Sequence, residues 1–339
     1  SAKPKPDERA LSGVVTLVAE SRIVVAVGGG PDDGGGGGGV PDDWHERCTV
    51  TKLANDTTYK RTIHALNDLV AATKQRPHLH AVLFGDQQPR LASGDAPAAE
   101  CFDPSLNESQ RGAVRLAVSA LDVALIHGPP GTGKTHTVVE IVRQLAARGN
   151  RVLVCGPSNV SVDNLVERLA AVRGLPLVRL GHPARLLPAA VAHSLDSHTK
   201  YSEQGQLVRD VQADLDDVLA QIHKSKRSSE RRALYQRAKE LRAEYRQREA
   251  KVVDHTISAS RVVLATLSGA ASRDLAKNRT KFDVVVIDEA TQALEGECWI
   301  AALQAPKLIL AGDHHQLPPT IKSPAHSRAG LLETTLFER

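Results

Sequence analysis

The sequence contains no methionine, only four cysteines and only 3% aromatic residues. With so few aromatic side chains, the core must be built mainly from aliphatic residues. The cysteines are too far apart for the paired spacing of a zinc site or the dense framework of a small disulfide-bonded domain. They are Cys48, Cys101, Cys155 and Cys298. We therefore expect buried thiols in a reducing compartment.

Long apolar runs and a strong net charge are also absent. No run approaches the roughly eighteen residues of a membrane span, and residues 1–6 lack a hydrophobic signal core. We expect no membrane partner and a cytoplasmic and nuclear location. The 43 Lys and Arg residues nearly balance 39 Asp and Glu residues, for a net charge of +4, so nucleic-acid binding would need a local surface.

The first hundred residues of the 339 contain strand and helix patterns. Residues 13–18 and 21–27 alternate as strands do and predict a hairpin, followed by a glycine-rich stretch at 28–39. A helix is predicted from Asn55, ending before Pro77. Its expected apolar face consists of Tyr59, Ile63, Leu66 and Val70.

Beyond about residue 101, six short β-branched runs alternate with helical patterns, which predicts an α/β fold with a doubly wound parallel sheet. The runs are 123–126, 152–154, 177–180, 262–265, 284–287 and 308–311. A long polar insertion between the third and fourth runs predicts an antiparallel helical hairpin. Its basic residues alternate with glutamates, so we interpret most of them as a solvated face.

The loop Gly128–Thr135 follows the first of these runs directly and opens a helical pattern. Its letters GPPGTGKT have the spacing of a phosphate-binding loop, in the strand, loop and helix order that such a loop requires. Lys134 is predicted to reach the β- and γ-phosphates and Thr135 to ligate Mg²⁺. The other candidate phosphate-binding positions are Gly128, Gly131, Thr132 and Gly133. The sequence thus predicts a site for ATP or GTP.

Polar residues follow two later runs. Asp288, after the run 284–287, is predicted to hold Mg²⁺, and Glu289 to orient or deprotonate the attacking water. An ordinary solvated turn is the alternative for this pair. After the run 308–311, Gln316 is the candidate sensor of the γ-phosphate. The neighbouring His314 and His315 have no Cys, Asp or Glu set at metal-ligand spacing, so we interpret them as loop residues.

These segments carry a family resemblance. Residues 128–135, 288–292 and 312–319 resemble motifs I, II and III of superfamily 1 helicases of the Upf-like group. The wider segments 157–169 and 179–186 are similar to immunoglobulin mu-binding helicases, and the likeness extends from about Gly13 to Arg339. It implies a P-loop RecA-like domain in an ATP-dependent 5′-to-3′ helicase or translocase that acts on RNA and DNA.

The resemblance implies further site residues. Gln110 matches the family's adenine-recognising glutamine, which would select ATP over GTP. Ser158, Asn159 and Asn164 match a motif that touches the nucleic-acid backbone, and Thr266 matches a later contact with the same strand. Such small polar side chains suit phosphate and sugar contacts, although Ser158 and Asn159 could equally cap the helix that follows. The implied partners are single-stranded RNA and DNA, with ribosomes or ribonucleoprotein left open.

The resemblance also divides the chain. Residues 1–54 are expected to form a small, incomplete β-barrel module of the 1B type with a glycine-rich loop, and residues 55–100 a stalk helix and linker. Residues 101–339 are expected to form the first RecA-like domain, with motifs Q, I, Ia, Ic, II and III and a helical hairpin at about 203–252.

Two departures from the family pattern qualify these expectations. His315 stands where the family usually carries lysine, and nothing after motif III resembles motifs IV to VI. We therefore expect a fragment or partial gene model that lacks the second RecA-like domain and turns ATP over weakly. Two alternatives stay open: a nucleotide-responsive nucleic-acid-binding module without useful turnover, and a related Upf-like translocase of RNA surveillance or DNA replication.

Overall fold

The computed structural model describes residues 13–19, 22–27, 56–72, 77–92, 101–225, 227–278, 281–321 and 332–339. The chain divides into two units, Ser1–Thr57 and Thr58–Arg339. In the first unit, strand β1 (Gly13–Ala19) pairs with β2 (Arg22–Val27) in antiparallel fashion. This confirms the predicted hairpin. The glycine-rich stretch and most of the expected barrel lie outside the described residues, so the barrel stays a prediction.

The second unit is built on a six-stranded parallel sheet, as the alternating runs predict. Its strands are β3 (Val123–His127), β4 (Val152–Gly156), β5 (Leu177–Arg179), β6 (Val262–Thr266), β7 (Val284–Ile287) and β8 (Lys307–Gly312). The spatial order is β3-β8-β7-β4-β6-β5. All six predicted runs are therefore strands, and their carboxyl ends meet at one edge of the sheet.

The described residues form eleven α-helices, several of which cover the two faces of this sheet. They are α1 (Thr57–Ala71), α2 (His78–Leu83), α3 (Glu108–Ser119), α4 (Lys134–Ala147), α5 (Asn159–Ala170), α6 (Pro188–Val191), α7 (Leu195–Tyr201), α8 (Glu203–Lys224), α9 (Ser228–Ala259), α10 (Arg273–Lys277) and α11 (Glu295–Ala302). Side chains alternate across each strand, so Val152 and Val154 of β4 join one hydrophobic cluster, while Leu153 and Cys155 join the other. The sheet therefore separates two aliphatic cores.

The expected apolar face of α1 is correct at Leu66, which packs against the core, and wrong at its other three positions. Tyr59 and Val70 are 67% and 68% exposed, whereas Ala65 and Leu69 are buried. On the docked side, the Thr58 hydroxyl donates a hydrogen bond to Ser268 Oγ at 3.1 Å. Because this side also includes small and polar residues, a search for large apolar side chains finds only part of it.

The helical hairpin is confirmed and is longer than expected. Helices α8 and α9 pack against each other, with Val211, Ile222, Ala238 and Leu241 buried. Helix α9 continues to Ala259 and leads into β6. Among the described residues, no helix combines the length and apolar character that crossing a membrane requires.

The described cysteines match the expectation only in part. Cys155 and Cys298 are buried free thiols, whereas Cys101 is half-buried. Burial raises the pKa of Cys155 to about 12, which keeps this thiol protonated and unreactive at neutral pH. The described thiols thus fill the interior or its border, and Cys48 lies outside the described residues.

Candidate nucleotide and nucleic-acid site

The loop between β3 and α4 has the backbone that a phosphate-binding loop needs. Gly131 and Gly133 have φ angles of 78° and 80°, in the left-handed region that glycine adopts without strain. A side chain at Gly133 would also place its Cβ 2.5 Å from Gln110 Nε2. Gly133 caps the N-terminus of α4, where the helix dipole favours an anion.

Lys134 faces the acidic residues after β7. Its Nζ lies 2.8 Å from Glu289 Oε1, and the ammonium is buried without good hydrogen-bond geometry. The contact is therefore an ion pair and not a hydrogen bond. The donors of Lys134 therefore remain suited to a phosphate, which would compete with Glu289 for them.

Asp288 is 3% exposed. Burial, and then the charge of Glu289, raise its pKa to about 6. A buried carboxylate gains from a nearby cation, and Thr135 provides a hydroxyl in the first turn of α4. These oxygen donors fit Mg²⁺, which prefers carboxylate and hydroxyl oxygens, and their metal role stays a prediction.

Glu289 has a left-handed backbone, with φ at 54°. Such a conformation is uncommon for a residue other than glycine, and it often occurs at functional sites. Its backbone N–H donates to Asp288 Oδ1 at 3.0 Å, and its Oε2 accepts from Gln292 Nε2 at 3.0 Å. The turn after β7 therefore holds both carboxylates at the edge of the sheet.

The loop after β8 is organised around Asp313. Gln316 Nε2 donates to Asp313 Oδ2 at 3.0 Å, and the His315 N–H donates to Oδ1 at 3.0 Å. These hydrogen bonds, with the neighbouring His127, lower the pKa of Asp313 to about 2. Gln316, the candidate γ-phosphate sensor, is thus oriented by a carboxylate whose importance the sequence did not indicate.

Gln110 lies against the phosphate-binding loop. Its Nε2 donates to the Thr132 carbonyl at 2.9 Å, and its Oε1 accepts from the Asn107 N–H at 2.8 Å. Asn107 accepts from the Gln110 N–H in return, which completes a capping box at the start of α3. This residue therefore links α3 to the loop, and its adenine-reading role stays a prediction.

The predicted nucleic-acid residues follow β4 and β6, on the other half of the sheet edge. Ser158 caps α5 and accepts from the Ser161 N–H at 3.1 Å, so the capping alternative is confirmed for Ser158. Asn164 is exposed on α5, and Thr266 Oγ1 accepts from the Gly269 N–H at 3.1 Å. Their contacts with a strand stay predictions.

Asn159 is held by a buried network that the sequence patterns did not reveal. Arg179 donates to Asp163 Oδ1 at 2.8 Å and to Asn159 Oδ1 at 2.9 Å. Both Arg179 and Asp163 have fully buried side chains. The available signal was an arginine inside the apolar run 177–180, because a buried charge requires a partner.

The interpretation of His314 as an ordinary loop residue is incomplete. His127, at the end of β3, lies with Nε2 3.1 Å from Asp313 Oδ1. His127, Asp313 and His314 place ligand atoms within 4.8 Å of one another. The sequence spacing did not show this cluster, because His127 and Asp313 are 186 positions apart and meet only where β3 and β8 pair.

The sheet, the loop at the N-terminus of α4 and the carboxylates after β7 define a P-loop α/β domain of the RecA type. A family model described as an AAA domain matches residues 105–324. The chain therefore belongs to this family, and its relatives place it with the superfamily 1 helicases of the Upf-like group.

Three relatives illustrate the likeness. The chain is 44% identical to DNA polymerase alpha-associated DNA helicase A of Schizosaccharomyces pombe, across 95% of this chain and 48% of that protein. It is 42% identical to DNA-binding protein SMUBP-2 of Rattus norvegicus, across 97% and 33%. It is 32% identical to a regulator of nonsense transcripts 1 homolog of Arabidopsis thaliana, across 98% and 25%. The chain thus spans half or less of each.

Proposed function

We propose that this chain is the ATP- and strand-binding half of an ATP-dependent 5′-to-3′ helicase or translocase that acts on single-stranded RNA and DNA. The observation that carries the proposal is the contact between the Lys134 ammonium and Glu289, at 2.8 Å, beside the buried carboxylate of Asp288. It brings the predicted phosphate-binding, water-orienting and metal-binding residues to one point.

The roles follow from the chemistry of each group. Lys134 and the N–H groups of the loop would bind the β- and γ-phosphates. Thr135 and Asp288 would hold Mg²⁺, which neutralises the charge that develops on the phosphates. Glu289, released from Lys134 by the phosphates, would accept a hydrogen bond from the attacking water, and Gln316 would contact the γ-phosphate from the loop after β8.

We further propose that four small polar residues contact the sugar-phosphate backbone of the nucleic-acid strand. They are Ser158, Asn159, Asn164 and Thr266. Their neutral polar groups lie after β4 and β6, and β4 is the neighbour of β7, which Asp288 follows. Because phosphate contacts dominate sequence-independent binding, affinity should fall as salt rises. Binding that is sharply sequence-specific or insensitive to salt would contradict this role.

A second RecA-like domain is the partner that this proposal requires for turnover. Arginine fingers are worth ~10³ to 10⁵ in rate in phosphoryl-transfer enzymes, and in helicases of this type the second domain is expected to supply them. The chain alone should therefore bind ATP but hydrolyse it slowly. Full motor activity would require both domains together.

The first test is ATP binding by this chain, measured by calorimetry with Mg²⁺. Lys134→Ala should weaken binding by ~10- to 100-fold, as expected for the loss of hydrogen bonds to a charged group. Lys200→Ala is the matched control, because Lys200 also pairs with a carboxylate, Asp196, at 2.9 Å but on the exposed helix α7. Equal affinities in all three proteins would contradict the nucleotide site.

The second test is strand-stimulated ATP hydrolysis by the complete gene product. We expect stimulation by single-stranded RNA or DNA, abolished by Lys134→Ala. A complete product that binds strands and ATP but never hydrolyses ATP would instead be a nucleotide-responsive binding module, and the motor proposal would fail.

A further inference from the structure

Three potential metal ligands converge beside the phosphate-binding loop, where two strands end. His127 is the last residue of β3 and pairs in register with Gly312, the last residue of β8. Asp313 and His314 follow directly. Because β3 and β8 are hydrogen-bonded neighbours, the loop after β8 starts next to the imidazole of His127, and the sheet itself holds the three residues together.

The distances suit a small transition-metal ion. His127 Nε2 and Asp313 Oδ1 are 3.1 Å apart, near the ~3.3 Å that separates two ligands of a tetrahedral zinc ion with bonds of about 2.0 Å. One ligand atom from each of the three residues lies within 4.8 Å of the others. The His127 and His314 rings are 4.9 Å apart between centroids, so a small rotation of the exposed His314 would close the set.

Two further hydrogen bonds orient the carboxylate of Asp313. The His315 N–H donates to Asp313 Oδ1, and Gln316 Nε2 donates to Oδ2, each at 3.0 Å. Carboxylates that bind metals are typically held by such outer hydrogen bonds. Asp313 is 2% exposed, whereas His314 is exposed, so an ion could enter from the solvent and retain a water ligand.

We propose that His127, Asp313 and His314 form a binding site for a divalent transition-metal ion of the Zn²⁺ class. Two imidazoles and one carboxylate suit Zn²⁺, Co²⁺ or Ni²⁺ and do not suit Mg²⁺ or Ca²⁺, which prefer oxygen ligands. The site is separate from the predicted Mg²⁺ ligands Thr135 and Asp288. The bound ion would join the residue before Gly128 to the carboxylate that orients Gln316.

Titration with Co²⁺ tests the proposal on tag-free protein in chelator-treated buffer. One equivalent of Co²⁺ should produce a visible absorption band, and Zn²⁺ should abolish the band by competition. His314→Ala should weaken Zn²⁺ binding by at least ~10-fold, since even outer-shell changes cost 10- to 100-fold. His127→Gln should have a similar effect.

His64→Gln is the matched control, because His64 also faces a carboxylate, Asp68, at 3.5 Å but lies on α1 and is not part of the cluster. It should bind Zn²⁺ as the unmodified chain does. Circular dichroism checks the fold of each variant, and His314→Ala decides the matter if His127→Gln unfolds, because His314 is exposed. The proposal is overturned if no saturable binding occurs, or if His314→Ala binds Zn²⁺ unchanged.

Discussion

The two halves of the sheet edge manage charge differently. On the half formed by β3, β8 and β7, charged side chains meet one another where a ligand can reach them, as Lys134 and Glu289 do at 2.8 Å. On the half formed by β4, β6 and β5, the charges of Arg179 and Asp163 are fully buried, and Arg179 holds the neutral amide of Asn159. Charged groups that a ligand can separate suit phosphate binding. A fixed, buried network suits a surface that contacts a nucleic-acid strand.

The largest expected effect concerns the buried pair. Arg179→Leu leaves the carboxylate of Asp163 buried without its cationic partner, and breaking such a pair typically costs 3–5 kcal/mol, so we expect a loss of about 4 kcal/mol in the free energy of unfolding. Urea unfolding measures the loss. The Leu187 N–H still donates to Asp163 Oδ2 at 2.7 Å, but a neutral donor does not neutralise the charge of the carboxylate.

Arg237→Ala is the control for Arg179→Leu. Arg237 pairs with Glu240 at 3.9 Å, and both side chains are more than half exposed, so its loss should change the free energy of unfolding by less than about 0.5 kcal/mol. If both variants lose the same small amount, the second half of the edge is not held by a fixed charge network.

The second prediction uses pH to test the half of the sheet edge formed by β3, β8 and β7. The folded pKa of Asp288 is about 6, against an ordinary value of 3.8, so its ionised form opposes folding. Asp288→Asn should therefore raise the free energy of unfolding by up to about 3 kcal/mol at pH 7.5. The gain should shrink as pH falls below 6 and vanish below about pH 3, where the carboxyl is neutral in both folded and unfolded chains.

Asp313→Asn should change the free energy of unfolding in the opposite direction. The pKa of Asp313 is lowered to about 2, so its ionised form favours folding above the unfolded pKa, and this contribution is lost as pH falls through 2. The variant should be less stable than the parent chain at pH 7.5. Urea unfolding from pH 4 to 8, with a chelator present, measures both variants, and identical profiles would contradict the assigned environments.

Much of the fold could be predicted because the strands are short, buried Val- and Ile-rich runs bounded by turns. The residues that follow these runs reach one edge whatever the details of packing, so Lys134, Asp288 and Glu289 could be assigned to a common site. The order of the strands could not be read from the runs, and it decides which of these groups become neighbours.

The remaining features depend on distant residues. Asp163 lies on α5, where a charged residue looks solvated, yet it is buried against Arg179 from β5. His127 and Asp313 meet because β3 and β8 are neighbours in the sheet although they are far apart in the chain. Most of the docked face of α1 was missed because Thr58 and Arg61 contact Ser268 through hydrogen bonds, which no hydrophobic pattern reports.

The third prediction separates the two halves by function. Asn159→Ala removes the amide that Arg179 holds at the surface, so affinity for single-stranded RNA or DNA should fall by ~3- to 10-fold, the value of about one net hydrogen bond. Fluorescence anisotropy at constant salt measures this change, and ATP affinity should not move. Asn150→Ala, before β4 and at the opposite edge of the sheet, is the control.

If Asn159→Ala weakens ATP binding but not strand binding, the division of the edge is wrong. If neither changes, Asn159 serves only to close the buried network around Arg179, and the track must use other residues of this half.

The smallest expected effect lies at Gln110, which touches the nucleotide half from α3. Its amide lies 2.9 Å from the Thr132 carbonyl of the phosphate-binding loop. If the amide also reads adenine as predicted, Gln110→Ala should lower the preference for ATP over GTP by ~2- to 10-fold, the value of one neutral hydrogen bond. Asn107→Ala breaks the cap of α3 but retains the Gln110 amide. Calorimetry with both nucleotides should show a changed ratio of ATP to GTP affinity only in Gln110→Ala, because a helix cap cannot distinguish adenine from guanine. Equal ratios in both variants would mean that Gln110 only caps α3.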